Sequence, residues 1–316
     1  MAVKKIILAK PRGFCAGVER AINTVEQCLE IFGKPIYVKH EIVHNKYIVE
    51  KLEKNGAITV EKVEDIPKNS VAIFSAHGSP PKDYKKAIER GIRIIDATCP
   101  LVSRVHIQLH QYIKKGYKIV YIGHKGHPEA ISVLEQFSGQ IPLIENADDV
   151  KELNIEDNKI VYITQTTLSL DDTKGIINKL KNKFPHIEDP PGTSICYATT
   201  NRQSAVKEIA KKSDLFIVIG SKNSSNCNRL VETARNFGVK SYLIENLSEM
   251  NHEWLKNVEV IGLSSGASVP ELLINEVIEY FTKNGAKVIE SEYVKENVKF
   301  TMPKELRVIE RNKNIL

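Results

Sequence analysis

What most constrains this chain is a recurring order: a short apolar run, a polar or glycine-rich turn, then a stretch with helical spacing. The runs are Lys5–Ala9, Pro35–Lys39, Val71–Phe74, Arg93–Ile95, Lys118–Ile122, Lys159–Ile163, Leu215–Ile219 and Val260–Leu263. Strand-length runs alternating with helical stretches predict βα units and parallel sheets, and unbroken Val/Ile content predicts strands covered on both faces. After the first run, Val18, Ala21, Ile22, Val25, Leu29 and Phe32 recur at helical spacing until Gly33-Lys34-Pro35 stops them. In such sheets ligands bind beyond the carboxyl ends of the strands. The chain's unusual side chains (Cys, His, Glu, Thr, Ser and Asn) concentrate in those turns.

A length of 316 residues suits two or three domains. Asp189-Pro190-Pro191-Gly192-Thr193 is a turn-rich break, and a second break falls near Asp96-Ala97. These cuts predict three α/β units, 1–96, 97–193 and 194–281, each with a cysteine-bearing turn at or near its start. A charged tail, 282–316, is expected to add a strand at Lys287–Ile289 and to fray after Leu306.

The net charge is +6, with lysines scattered and no basic run interleaved with aromatics. That pattern disfavours nucleic acid and suits a small anionic substrate. No stretch approaches a membrane-spanning length, and the run at Ile6–Ala9 is too short for a secretory signal, so a cytoplasmic location is expected. There the five cysteines should be reduced, which leaves metal binding, catalysis or packing as their uses.

Cys28 falls on the apolar side of the first helical stretch and reads as a core residue. Cys227, in the polar loop Ser224-Ser225-Asn226-Cys227-Asn228, reads as a small residue beside a phosphate-type site. Cys15 lies in a glycine-lined turn between a strand and a helix start, where backbone N–H groups favour a thiolate. With Cys99 and Cys196 it forms a set 84 and 97 residues apart, each beside a short apolar run. Three thiolates converging from three units would make a soft-metal site. Zinc, an iron-sulfur cluster and thiol catalysis all stay open on spacing alone, although the close cysteine pairs usual for structural zinc are missing from the sequence.

Several motifs carry a family resemblance. Pro11–Val18 (PRGFCAGV), Asp96–Pro100 (DATCP), Gly126–Glu129 (GHPE), Thr164–Thr167 (TQTT), Ile195–Gln203 (ICYATTNRQ), Gly220–Asn226 (GSKNSSN) and Gly266–Ser268 (GAS) occur in order across about residues 4–281. Together they resemble the 4-hydroxy-3-methylbut-2-enyl diphosphate reductases, the IspH/LytB family. The resemblance implies a trefoil of three small α/β units with mainly parallel sheets around a central [4Fe-4S] cluster. It implies that Cys15, Cys99 and Cys196 hold the cluster and that one iron stays open for substrate. Gly13 and Gly17 would let the backbone approach it.

The implied reaction is reductive dehydroxylation of (E)-4-hydroxy-3-methylbut-2-enyl diphosphate to isopentenyl and dimethylallyl diphosphate. It is the last step of the non-mevalonate isoprenoid pathway, with electrons from reduced ferredoxin or flavodoxin. By the same resemblance His44, His77, His127, Ser224, Ser225, Asn226 and Ser268 surround the diphosphate. Glu129 is the proton donor, Thr166 relays the proton or fixes the hydroxyl, and Thr167 stands beside them. Cys227 departs from the small polar residue expected at its position. Two rivals make different demands: a zinc hydrolase of phosphorylated compounds, and a non-enzymatic redox sensor with a labile cluster. Neither accounts for the phosphate collar and Glu129 together.

Overall fold

The computed structural model describes residues 3–137, 139–157 and 159–313. Its strands form three sheets, and every pairing between the strands described is parallel. The largest sheet orders Lys240–Ile244, Leu215–Ile219, Val260–Ser265, Lys5–Lys10 and Lys287–Glu292. The second orders Ala57–Val60, Ile36–Lys39, Val71–Phe74 and Arg93–Asp96. The third orders Leu143–Ile144, Lys118–Ile122 and Ile160–Thr164.

The apolar runs form strands because both faces of each sheet are covered. In Lys5–Lys10, Ile6 and Leu8 join one core with Leu273, Ile274, Val277 and Phe281 of helix Glu271–Lys283. Ile7 and Ala9 point the other way, onto Ala205, Val206 and Ile209 of helix Tyr197–Ala210. The same two-sided alternation occurs in Lys118–Ile122. There Val120 and Ile122 meet Ile176 and Leu180, while Ile119 and Tyr121 meet Val105 and Leu109. The result is a trefoil of three α/β units, the fold class expected.

Three passages of the chain from unit to unit position everything that follows. Strand Lys5–Lys10 lies in the largest sheet, yet helix Ala16–Phe32 packs Ala21, Ile22 and Val25 against Ile36, Val38 and Ile73 of the second sheet. Strand Arg93–Asp96 lies in the second sheet, yet helix Pro100–Lys114 packs on the third. After the third sheet, helix Tyr197–Ala210 returns to the first. Cys15, Cys99 and Cys196 are the N-cap residues of these three crossing helices. The expected division at 1–96, 97–193 and 194–281 follows chain order. Sheet membership does not: the opening strand pairs with Val260–Ser265 and Lys287–Glu292.

Three short strands went unanticipated: Ala57–Val60, Leu143–Ile144 and Lys240–Ile244. Each is a sheet edge, where one neighbour suffices and a continuous apolar run is not required. The tail adds a longer strand than expected, Lys287–Glu292. Helix Lys304–Lys313 continues past Leu306, which it buries in the core of the second unit, and residues 314–316 lie outside the described residues. Cys28 is a core residue of that unit, as expected, and burial pushes its thiol up to about 12.

One core contact gives a direct test. A Cβ on Gly262, in the centre of strand Val260–Ser265, would lie 2.5 Å from the fully buried Phe216 ring and 2.7 Å from Ser213 Oγ. Gly262→Ala should therefore destabilise the fold by ~1–3 kcal/mol through overpacking. The measurement is the midpoint shift in urea unfolding.

Candidate functional site

The three crossings bring their cysteines to one cavity. Each cysteine backbone N–H donates to a carbonyl of a neighbouring strand-end loop: Cys15 to Ala267 O at 3.1 Å, Cys99 to Ala76 O at 3.0 Å, Cys196 to Thr166 O at 3.0 Å. Beside those carbonyls stand Ser268, His77 and Thr167. Each cysteine turn is thus tied to a loop that carries polar site residues.

All thirteen side chains expected at the site line this single cavity: Cys15, Cys99, Cys196, Glu129, Thr166, Thr167, His44, His77, His127, Ser224, Ser225, Asn226 and Ser268. Both faces of the Cys15 turn depend on glycine. A Cβ on Gly17 would sit 2.7 Å from Cys99 Sγ and 3.8 Å from Cys15 Sγ, so a larger residue would fill the space between two thiols. Gly13 has φ +66°, a left-handed conformation that favours glycine. Burial pushes the Cys99 thiol up to about 12 and the Cys196 thiol up to about 11. As free thiols both would be neutral at pH 7, and thus poor nucleophiles.

The same cavity holds a carboxyl. Glu129 is 2% exposed, in the first turn of helix Pro128–Leu134. Its Oε1 accepts from Thr166 N at 2.8 Å and its Oε2 from Thr166 Oγ1 at 2.7 Å. Burial raises its pKa to about 7, and the two Thr166 bonds restrain the rise.

Imidazoles and hydroxyls form the rest of the wall. His44 and His77 stack at 4.1 Å between ring centroids, and His127 meets them edge-on at 5.8 and 6.1 Å. Burial holds His127 down to about 3 and His77 well below the ordinary histidine range, so both are neutral at pH 7. His127 Nδ1 accepts from Glu129 N at 3.1 Å, which leaves the ring proton on Nε2. His44 Nδ1 faces Glu41 Oε2 at 3.0 Å, and its Nε2 is buried without a partner. That hydrogen bond is the main reason Glu41 titrates below the usual carboxylate range. Asn226, 6% exposed, has neither its Oδ1 nor its Nδ2 paired within the protein. Buried amides are rarely left so, and both atoms belong to a residue lining the cavity at the start of helix Ser225–Arg235.

Ser224 caps that helix, its Oγ accepting from Cys227 N at 3.5 Å. Thr167 Oγ1 donates to Ser225 Oγ at 3.2 Å, and Ser268 Oγ donates to His44 O at 2.9 Å.

Sequence reading missed two neighbours. Thr199 hydrogen-bonds Cys196 Sγ through its backbone N–H at 3.4 Å and through its hydroxyl at 3.2 Å. The Cys-x-x-Thr spacing at a helix start was the available signal. His40 joins His44 and His77, with one nitrogen of each ring within 4.8 Å of the others. Its left-handed backbone, φ 64°, is visible only in three dimensions. Cys227 does not line the cavity. It is fully buried, and its Sγ lies 2.2 Å from where either Gly220 or Gly266 would carry a Cβ, so it packs behind the loops.

These features define a three-unit parallel α/β protein with a central cavity lined by cysteines, imidazoles, hydroxyls and one carboxyl. The chain belongs to the LytB protein family, whose model matches residues 6–282. It is 51% identical over 311 residues to the 4-hydroxy-3-methylbut-2-enyl diphosphate reductase of Histophilus somni, covering 97% of this chain and 99% of that protein. A reductase of the same name from Haemophilus influenzae is 50% identical, covering 98% of this chain and 100% of its own. In structure the chain matches the E-1-hydroxy-2-methyl-but-2-enyl-4-diphosphate reductase of Plasmodium falciparum with TM-score 0.96 and 44% identity, over 98% of this chain and 99% of the other. A further solved reductase, described as the terminal enzyme of the non-mevalonate pathway, matches with TM-score 0.64 and 31% identity, over 89% of this chain and 100% of its own.

The Glu129 carboxyl should hold its proton until the pH passes about 7. Its folded pKa is raised, so its favourable share of stability is complete below the unfolded value and is lost as pH rises through 7. Infrared difference spectra should show a protonated-carboxyl band at pH 6 that disappears by pH 8 and is missing in Glu129→Gln. Thr166→Val removes a bond that restrains the pKa, so the band should persist to higher pH.

Proposed function

We propose that this chain is an iron-sulfur oxidoreductase that converts (E)-4-hydroxy-3-methylbut-2-enyl diphosphate to isopentenyl and dimethylallyl diphosphate, the last step of the non-mevalonate pathway. The observation that carries the reading is the placement of Glu129–Thr166, the three thiols and the imidazole–hydroxyl wall around one cavity. Near-full-length identity of about half to reductases of that name supports it.

The donor set fits an iron-sulfur cluster. Three cysteines at the starts of three helices line one cavity, and Gly17 leaves open the space beside the Cys15 and Cys99 sulfurs. The buried, proton-holding thiols of Cys99 and Cys196 disfavour plain thiol catalysis. The cluster we assign is a single [4Fe-4S] on Cys15, Cys99 and Cys196; when bound it supplies single electrons and, through an iron without a protein thiolate, a Lewis acid. Reduced ferredoxin or flavodoxin is the donor in this scheme, and the cytoplasm its location. Among the described residues no helix is long and apolar enough to cross a membrane.

The chain's own residues hold the substrate's two ends differently. The diphosphate meets the imidazole wall and the start of helix Ser225–Arg235, where backbone N–H groups and the unpaired Asn226 amide donate. His127 donates from Nε2 in its neutral form. His44 stands in the same wall with its Nδ1 on Glu41 Oε2, and its buried Nε2 has no partner within the protein.

Glu129 serves as the acid. Below pH 7 its carboxyl is mostly neutral, and in that form the bond to Thr166 can reverse, with carboxyl donating to hydroxyl. Thr166 then passes its own proton to the substrate oxygen as that oxygen leaves. A positioned acid with a pKa near the working pH suits this transfer.

The test is an anaerobic assay with the diphosphate and a one-electron reductant, with iron measured on the same sample. Wild-type protein should be brown and hold about four irons per chain; zinc in their place, or no conversion, would overturn the reading. Cys15→Ser should lose iron and activity together. Glu129→Gln should keep iron and substrate binding but lose about 10²-fold or more in kcat, the share of a positioned acid. In wild type, kcat/KM should fall as pH rises through about 7, where the carboxyl of the free enzyme ionises.

A further inference from the structure

The segment between strand Lys287–Glu292 and helix Lys304–Lys313 has no regular structure, yet it contacts the two arginines that join the cysteine turns. It leaves the largest sheet beside the Cys15 turn, where Tyr293 N donates to Lys10 O at 2.8 Å. It ends in the core of the second unit, where Leu306 is fully buried and Met302 packs alongside.

Arg202 is the first of these arginines. It lies in the helix capped by Cys196 and has no exposed surface. Its Nη2 donates to Gly13 O, in the Cys15 turn, at 2.9 Å, and its Nη1 to Ala198 O, two residues after Cys196, at 3.1 Å. One guanidinium therefore bridges two cysteine turns. The Glu296 carboxylate grips it at 3.1 and 3.3 Å and also accepts from Asn201 Nδ2 at 3.0 Å.

Arg20 repeats the arrangement on another pair. It lies in the helix capped by Cys15, and its Nη1 donates to Ala97 O and Thr98 O, just before Cys99, at 3.0 Å each. Its Nε donates to Thr301 O of the same C-terminal segment at 2.8 Å. Two arginines thus link the three cysteine turns, and both are held by one stretch of chain.

We propose that residues 293–303 form a strap that, through Glu296 on Arg202 and Thr301 on Arg20, sets the mutual position of the three cysteine turns. Arg202, Arg20 and Glu296 are positioning residues: none of the three lines the cavity. The cysteines occupy three units, so no single sheet fixes their separation; guanidinium forks on backbone carbonyls supply a rigid link. The buried Arg202 needs its counter-charge, because an unpaired guanidinium in that place would be costly.

The proposal rests on the assignment of Cys15, Cys99 and Cys196 as cluster ligands, and the experiment separates the two. Anaerobically purified holoenzyme is prepared as wild type, Glu296→Ala, Glu296→Gln and Arg20→Lys. Iron release to a ferrous chelator, the electron paramagnetic resonance spectrum of the reduced cluster, and the thermal midpoint of the iron-free protein are measured on each. KM and kcat are measured alongside.

Glu296→Ala should release iron about tenfold faster or more, as outer-shell changes do at metal sites. It should also shift the reduced-cluster spectrum and lower kcat with KM for the diphosphate unchanged. Glu296→Gln keeps size and one acceptor and should fall between wild type and alanine. If the alanine variant does not fold, the glutamine variant and Arg20→Lys carry the test. Wild-type iron release and spectrum in the variants would overturn the strap. So would faster release that merely tracks a fall in the iron-free midpoint with an unaltered spectrum, since that is a purely structural effect. A wild-type sample without cluster iron would instead overturn the ligand assignment.

Discussion

The structure depends on one constraint: three helices must each begin at the same small space while packing against three different sheets. The N-cap is the only part of a helix that can satisfy both demands, because its side chain projects past the helix end while the body behind it is buried elsewhere. Cysteine holds all three N-caps. Each cysteine backbone N–H donates to a neighbouring loop carbonyl, so the helix starts cannot drift from the loops that carry Ser268, His77 and Thr167. The cavity is therefore a product of chain crossing and not a cleft within any one unit.

Burial then sorts the chemistry of that cavity. The same low-polarity surroundings that keep the Cys99 and Cys196 thiols protonated also keep Glu129 protonated near pH 7 and leave His77 and His127 neutral. Free thiols that hold their protons must lose them to take a metal, so cluster assembly releases protons. A carboxyl that holds its proton at pH 7 is a ready acid. Neutral imidazoles with one nitrogen already engaged have a defined donor face. His44 differs because its Nδ1 faces a carboxylate, Glu41.

The C-terminal segment shows how a tail can belong to a site it does not line. Its strand extends the largest sheet and its Leu306 anchors the second unit. Glu296 and Thr301 lie between those anchors, on the arginines that join the cysteine turns. A solvated, charged stretch of sequence gives no sign of such a role, since a carboxylate that neutralises a distant buried arginine looks like any surface glutamate.

The sequence by itself determined the local structure and the inventory of the site. Unbroken Val/Ile runs can only be strands covered on both faces, and polar residues gathered at their carboxyl ends mark where a ligand must bind. All thirteen expected side chains line the one cavity because strand-end position is a local property, written in the run and the turn after it. What only the tertiary structure decided was partnership. Strand Lys5–Lys10 pairs with residues more than 250 positions away, a choice set by which apolar faces fit and not by anything within the strand. The short edge strands, the left-handed His40, and the pairing of Arg202 with Glu296 share that character. Each depends on a neighbour remote in sequence, and no periodicity or spacing can encode it.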